Sequence, residues 1–251
     1  MPLPDSTGRQ RSPILAKTIS LASVFICYAL IEWASSAHLL TRMVPHPPSL
    51  SKPLAWLFEH HLWQFGVGML VITVLSRGHL WSYGINSSDI RLSMSILLKF
   101  YVVASVIVAV VIVVPVVISG TIPEYLAHTS RVDVLAWILF QWMAAAVADN
   151  ILYFGLFQTL LLKYWQEKIS VKPFEVPVAI LITTVLFAAG RTNVPIYGNH
   201  LLEYLLALAI GAYSGLVYFR TRSLLTPMLS QAFFYGLPFV VRFVYLAAVG
   251  R

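Results

Sequence analysis

Long apolar runs separated by short polar connections dominate this chain. All but the fifth reach the length of about 20 residues that crosses the hydrocarbon core of a bilayer. With 59% hydrophobic and only 11% charged residues, the composition excludes an ordinary soluble domain. We therefore predict an all-α fold, a polytopic integral membrane helix bundle in which residues 1–251 form a single membrane domain. The seven runs are Ile14–Ala34, Leu54–Ser76, Ser93–Ile122, Val134–Leu162, Val176–Gly190, Leu201–Phe219 and Leu224–Val249.

The formal net charge of +7 is a topology signal and does not indicate a nucleic-acid partner. Most lysines and arginines lie in connections, and basic residues concentrate on the cytoplasmic side of membrane proteins. The number of lysines and arginines on each side of the membrane favours a cytoplasmic N-terminus. The compact single-domain form suggests a bacterial cytoplasmic membrane. The predicted cytoplasmic set is Arg9, Arg11, Lys17, Arg77, Arg91, Lys99, Lys163, Lys168, Lys172, Arg220 and Arg222, against Arg42, Lys52, Arg131, Arg191 and Arg251 opposite.

The fourth run contains an acid and an amide, Asp149 and Asn150, near its middle. A carboxylate at bilayer depth is costly, so it normally faces the interior of a bundle. There it marks either a functional site or a structural polar pair. We expect this segment to contain the functional site of the chain.

Other features of the sequence indicate packing or have no clear role. Gly211 and Gly215 have the small-xxx-small spacing that lets two membrane helices approach closely. Pro238 is expected to kink or break the last run, and prolines crowd the predicted outer loop after the first run. His60 and His61 follow Glu59, but adjacent residues on a helix point in different directions. We therefore do not expect these three residues to form a metal site.

No cofactor or metal site is predicted. The chain has a single cysteine, Cys27, and no glycine-rich phosphate loop. The lipid bilayer is a certain partner for such a chain, a membrane-anchored protein or peptide is a possible second one, and the oligomeric state stays open.

The order of local patterns after residue 145 resembles that of a known family. Asp149–Phe157 comes first, Phe187–Arg191 follows, then Gly211–Leu224, and Pro227–Tyr235 comes last. In order and spacing these segments are similar to the CPBP superfamily of CAAX-protease and bacteriocin-processing intramembrane endopeptidases, also called the Abi family.

The resemblance covers residues 80–240, including a connector at Trp81–Asn86. It implies a CPBP-like core, with residues 1–79 supplying two additional spans and the Pro-rich outer loop. It also favours eight helices over seven, so we expect seven or eight.

The family's catalytic positions are largely substituted in this chain. The resemblance places the Glu-Glu-x-x-x-Arg motif at Asp149, Asn150 and Phe154, the first histidine at Arg191, and the His-x-x-x-Asn pair at Gln231 and Tyr235. Only Phe187 and the flanking Gly155 are as the family pattern has them, and we expect Gly155, like Gly211 and Gly215, to lie at a close helix contact.

In the family, a glutamate is proposed to activate a water molecule. The amides of Asn150 and Gln231 cannot accept a proton, and Arg191 stays protonated. The resemblance therefore implies a protease scaffold with impaired catalytic chemistry.

Three functions remain open from the sequence. The first is a catalytically silent CPBP-like protein that binds or regulates membrane proteins or peptides. The second is an endopeptidase of altered mechanism in which Asp149 is the base, with Gln231, Tyr235 and Arg191 polarising the substrate, or with His200 or Glu203 borrowed from the loop after the fifth run. The third is a small transporter lined by Asp149 and Arg191.

A purely structural role for Asp149 is favoured over catalysis. The carboxylate could pair with Arg191 or hydrogen-bond Asn150, Gln231 or Tyr235, and such contacts contribute about 0.6–2 kcal/mol each. Depth counting places Arg191 near the outer end of its span, so this pair would require a broken or tilted helix.

Overall fold

The structure, a computed structural model, describes most of the chain and consists almost wholly of helices. The described residues are 13–37, 52–86, 90–114, 118, 131–171, 174–191 and 200–248. The helices are α1 (Pro13–Ser36), α2 (Lys52–Ser76), α3 (Ile90–Val108), α4 (Arg131–Leu139), α5 (Ala146–Asp149), α6 (Thr159–Tyr164), α7 (Val178–Gly190), α8 (His200–Thr221) and α9 (Leu225–Ala248). The predicted Pro-rich outer loop lies mainly outside the described residues.

The predicted all-α membrane bundle is confirmed. Five described helices are long and apolar enough to cross a bilayer, namely Ile14–Ser36, Ile90–Val111, Val134–Tyr164, His200–Thr221 and Leu225–Ala247. Many large apolar side chains on their outer faces are exposed, as expected for surfaces that contact lipid. The total of seven or eight spans stays a prediction.

Helix α2 is long enough to span a membrane but is not among these five helices. It has 25 residues, and Glu59, His60, His61 and Gln64 in its first half are all at most 5% exposed. These side chains point into the bundle because water is absent from the lipid side. The second span therefore supplies polar groups to the interior.

The middle of the bundle is occupied by the fourth span, by which we mean the continuous helical stretch made of α4, α5 and α6. Two π-helical segments, Phe140–Ala145 and Asn150–Gln158, join these pieces. All nine residues of the second segment are buried. A π turn changes which face each following residue occupies, and such turns often occur at functional sites. Asp149 and Asn150 lie where α5 meets the second segment.

A short hairpin follows the fourth span, which the sequence did not predict. Strand β1 (Lys168–Val171) pairs antiparallel with β2 (Phe174–Pro177), so that Lys168 lies opposite Pro177. The hairpin occupies the start of the predicted fifth run, and α7 therefore begins only at Val178. At 13 residues, α7 is about 20 Å long, well short of the roughly 30 Å hydrocarbon core.

The remaining short elements are a 3₁₀ turn at Leu80–Tyr83 and a π segment at Ala109–Val113 after α3. Helix α9 continues through Pro238 without interruption. The predicted break at that proline is therefore absent.

Candidate functional site

A buried polar cluster lies where the middle of the fourth span meets α2, α7 and α9. Its members are Asp149, Asn150, Arg191, Gln231 and His61, and we call it the Asp149 cluster. Four of the five were singled out from the sequence, and His61 was not. The exposed fractions of Asp149, Asn150 and Gln231 are 2%, 0% and 1%, so the cluster is closed to bulk solvent.

One carboxylate oxygen is the centre of the hydrogen bonds in this cluster. The Arg191 guanidinium donates through Nη2 to Asp149 Oδ2, and Gln231 Nε2 donates to the same oxygen at 2.6 Å. Asn150 Nδ2 donates to Gln231 Oε1 at 2.7 Å and to the backbone oxygen of Ala146 at 2.6 Å. Residues from three helices are thereby joined around Asp149.

Arg191 reaches Asp149 because α7 is short. It is the first residue after α7 and follows Gly190, where an added Cβ would lie 2.4 Å from the Tyr153 hydroxyl. A helix that starts after the hairpin and spans about 20 Å ends inside the bundle instead of at its outer edge. Depth counting from the sequence therefore placed Arg191 wrongly, because it assumed a full-length span.

Aromatic rings surround the Arg191 guanidinium. Its Cζ lies 4.5 Å from the ring centroid of Tyr235 and 5.5 Å from that of Phe187. Such cation–π contacts are strongest where water is excluded. Tyr235 thus contributes its ring to the Asp149 cluster, while its buried hydroxyl has no hydrogen-bond partner among the described residues.

Phe154 does not join the polar groups. It is fully buried, and its ring centroid lies 5.7 Å from that of Phe187. The position at which the family motif has an arginine is therefore occupied by an apolar core side chain.

His61 of α2 approaches the free side of the carboxylate. Its Nε2 lies 3.5 Å from Asp149 Oδ1, and its Nδ1 lies 2.7 Å from the Leu57 carbonyl oxygen. A carbonyl can only accept, so Nδ1–H donates to it. In neutral His61, Nε2 then carries a lone pair that faces Asp149.

His60 lies beside His61, with ring centroids 5.3 Å apart. It contacts Ser35 Oγ at 3.1 Å and Gln64 Nε2 at 2.9 Å. Sequence reasoning gave neither histidine a role, since neighbours on a helix diverge. The polar residues within the predicted second span could have identified both histidines, because polar groups within a span normally face the bundle interior.

A small cavity adjoins the Asp149 cluster. It is lined by both histidines, Gln141, Asp149 and Arg191, among others, and its volume of about 30 Å³ has room for about one water molecule. Among the described residues no group of three or more His, Cys, Asp or Glu side chains is placed to hold a metal ion.

The two residues considered as substitutes for the missing histidines differ in burial. His200 is exposed at the start of α8. Glu203 is 1% exposed and within electrostatic range of Arg191 and Tyr235. Its side chain therefore lies inside the bundle, unlike that of His200.

The three glycines singled out for packing lie at close helix contacts. A Cβ on Gly211 would meet Phe187 at 3.0 Å, and one on Gly215 would meet Gln158 Oε1 and an Ile180 methyl at 2.9 Å. The Gly215 carbonyl also accepts a hydrogen bond from Gln158 Nε2 at 2.9 Å. A Cβ on Gly155 would lie 3.3 Å from the backbone oxygen of the 3₁₀ turn.

Comparison with known families identifies one matching region of the chain. Residues 131–237 match the family of Rce1-like type II CAAX prenyl endopeptidases, which confirms the resemblance to the CPBP superfamily. The chain is thus an integral membrane protein whose residues 131–237 are similar to this family. No curated protein and no solved structure matches the chain.

The matched region contains the fourth span, α7, α8 and the first half of α9. It therefore holds Asp149, Asn150, Arg191, Gln231 and Tyr235. His61 comes from outside it, on the second span, which explains why the motif positions gave no indication of it.

Proposed function

We propose that this CPBP-like protein does not hydrolyse peptides and that it uses the bundle to bind a membrane-anchored protein or peptide, as a partner or regulator. The observation that carries the proposal is the arrangement of donors on Asp149 Oδ2. This oxygen accepts from both Arg191 and Gln231.

A general base must direct a lone pair at the water whose proton it takes. Asp149 Oδ2 already accepts from two donors, and Asn150 and Gln231 are amides that accept no proton. Arg191 stays protonated and cannot replace the base. Four of the groups at the substituted motif positions, Asp149, Asn150, Arg191 and Gln231, therefore hydrogen-bond one another, as expected for a structural polar centre.

The size of the adjoining cavity also favours binding without cleavage. About 30 Å³ accommodates a water but no peptide group. A substrate would have to separate α2 from the fourth span in order to reach Asp149.

One observation favours a second candidate, an endopeptidase of altered mechanism. The Nε2 lone pair of neutral His61 and Asp149 Oδ1 are both acceptors, 3.5 Å apart at the wall of a water-sized cavity. A water donating to both atoms would satisfy them, and His61 could then take its proton. Arg191 would remain near enough to stabilise an oxyanion.

Affinity purification in mild detergent distinguishes these candidates. Tagged wild type, Asp149→Asn and His61→Gln would be purified from cells that lack the untagged protein, and the membrane proteome would be quantified in parallel. The amide of Asp149→Asn keeps an acceptor for Arg191 and Gln231. The binding proposal expects the same partner with all three proteins and unchanged cleavage products. A product made by wild type and lost in both variants would establish the second candidate.

We further propose that the CPBP-like core extends over residues 80–240 and that the first two spans are an addition to it. Two contacts support this boundary, since the Leu224 N–H donates to the Gly84 carbonyl at 2.9 Å and Asn86 Nδ2 donates to the Arg222 carbonyl at 2.9 Å. The connector before α3 is thereby attached to the turn between α8 and α9.

The proposed orientation places the N-terminus in the cytoplasm of a bacterial cell. Lys17 of α1 bonds Glu167 next to the hairpin, so the N-terminal end of α1 and the connection after the fourth span lie on one side. Thr159 and Tyr218, 2.6 Å apart, bring the C-terminal end of α8 to the same level. These contacts bring the basic residues Lys17, Lys163 and Arg220 towards one end of the bundle, which supports this orientation through the positive-inside rule.

A further inference from the structure

An apolar groove runs along α1 on the side that faces α2 and the end of the fourth span. It is lined by residues from Ala16 to Leu30 of α1, among them Ser23 and Cys27, and by Val71 and Phe157 opposite. Its volume is about 530 Å³. We call it the α1 groove, and none of its lining residues belongs to the Asp149 cluster.

A polar opening continues the α1 groove towards the connection after α6. Ala16 and Tyr164 line both spaces, and the opening adds Lys17, Lys163, Gln166 and Glu167. Tyr164 and Trp165 end the fourth span, which is where aromatic side chains collect at the membrane–water interface. The opening therefore lies at headgroup level, and the groove lies beneath it in the hydrocarbon layer.

The charges at the opening leave one cation uncompensated. Lys17 is paired with Glu167, and the Lys17 ammonium holds the pKa of the Glu167 carboxyl below its ordinary value, so the pair persists at neutral pH. Lys163 is exposed and has no carboxylate partner among the described residues. Its ammonium lies 5.5 Å from the centroid of the Tyr164 ring.

The dimensions of the groove select its occupant. From Ala16 to Leu30 it extends along about 21 Å of helix, so 530 Å³ corresponds to an average cross-section of about 25 Å². A single hydrocarbon chain therefore fits along the groove.

We propose that the α1 groove is a binding site for an anionic phospholipid, with one acyl chain in the groove and the phosphate at Lys163. Lysine binds phosphate as a point charge, and a basic residue near the surface favours an anionic headgroup over a zwitterionic one. The site would attach α1 to the rest of the bundle through a lipid. The proposal does not depend on whether the Asp149 cluster is catalytic.

Cys27 provides a direct measure of occupancy, because it is the only cysteine in the chain and lines the groove half-buried. The full-length protein would be placed in phosphatidylcholine vesicles with and without phosphatidylglycerol. The rate at which a lipophilic maleimide labels Cys27 would then be measured. We expect phosphatidylglycerol to slow labelling of the wild type.

Three variants make the test specific to charge at the opening. Lys163→Gln should weaken the preference for phosphatidylglycerol about fivefold, the factor expected for one lysine near the surface. Glu167→Gln frees Lys17 and should strengthen the preference by a similar factor. Arg220→Gln removes an exposed cation at the same membrane level but outside the groove, and should change nothing.

Two results would overturn the proposal. One is equal labelling with and without phosphatidylglycerol in both wild type and Lys163→Gln. The other is protection of Cys27 only while a second protein co-purifies, since the groove would then be a protein contact.

Discussion

Replacing Arg191 by methionine tests the role of the Asp149 cluster in stability. Asp149 is 2% exposed, and its one remaining hydrogen-bond donor among the described residues would be Gln231 Nε2 at 2.6 Å, because neutral His61 directs a lone pair at Oδ1. Removing one partner of a buried ion pair destabilises a protein by about 3–5 kcal/mol, because the other charge is left uncompensated. The methionine keeps much of the packing volume, so the loss reports mainly on charge.

The loss in the free energy of unfolding can be measured by thermal unfolding in detergent, with the intrinsic tryptophan fluorescence of the chain as the signal. For a chain of this length about 3–5 kcal/mol corresponds to a decrease in Tm of roughly 6–20 °C. The double variant Arg191→Met/Asp149→Asn should recover most of the loss, because no buried charge remains. A wild-type Tm in Arg191→Met, or a double variant no more stable than Arg191→Met, would refute the reasoning.

Two further predictions concern close packing, each with a glycine that serves as a control. Gly215→Ala should cost about 1–3 kcal/mol, because its Cβ would lie 2.9 Å from side chains of two neighbouring helices, whereas Gly66→Ala meets nothing within 4 Å and should be neutral or slightly stabilising. Gly84→Ala should cost more than Gly78→Ala, since both have positive φ but only Gly84 would place a Cβ 2.4 Å from Tyr218. The Tm values of the four variants test both predictions. An equal decrease in Tm for Gly215→Ala and Gly66→Ala, or for Gly84→Ala and Gly78→Ala, would contradict the structure.

The membrane bundle could be predicted from the sequence because it follows from apolar length alone. The runs Leu201–Phe219 and Leu224–Val249 differ from α8 and α9 by only a few residues. The fifth run differs more, because β-hairpin pairing includes residues Val176 and Pro177 that hydropathy assigns to a span. Apolar strand residues and apolar helix residues look alike over such a short stretch.

The candidate site was predictable where the family pattern fixed it and not elsewhere. Asp149, Asn150, Arg191 and Gln231 occupy motif positions, and the structure brings their side chains into one hydrogen-bonded group. His61 is distant in sequence and belongs to no motif, so its approach to Asp149 depends on how α2 packs against the fourth span. Such long-range packing leaves no local pattern in the sequence.

Profiling of peptide termini in the membrane proteome tests most directly whether Asp149 is a structural or a catalytic residue. Cells lacking the protein would be complemented with wild type or Asp149→Asn at equal protein levels. The account predicts identical termini in both, because Asp149 holds Arg191 and Gln231 and activates no water. A membrane-protein terminus that appears with wild type and is absent with Asp149→Asn would contradict it.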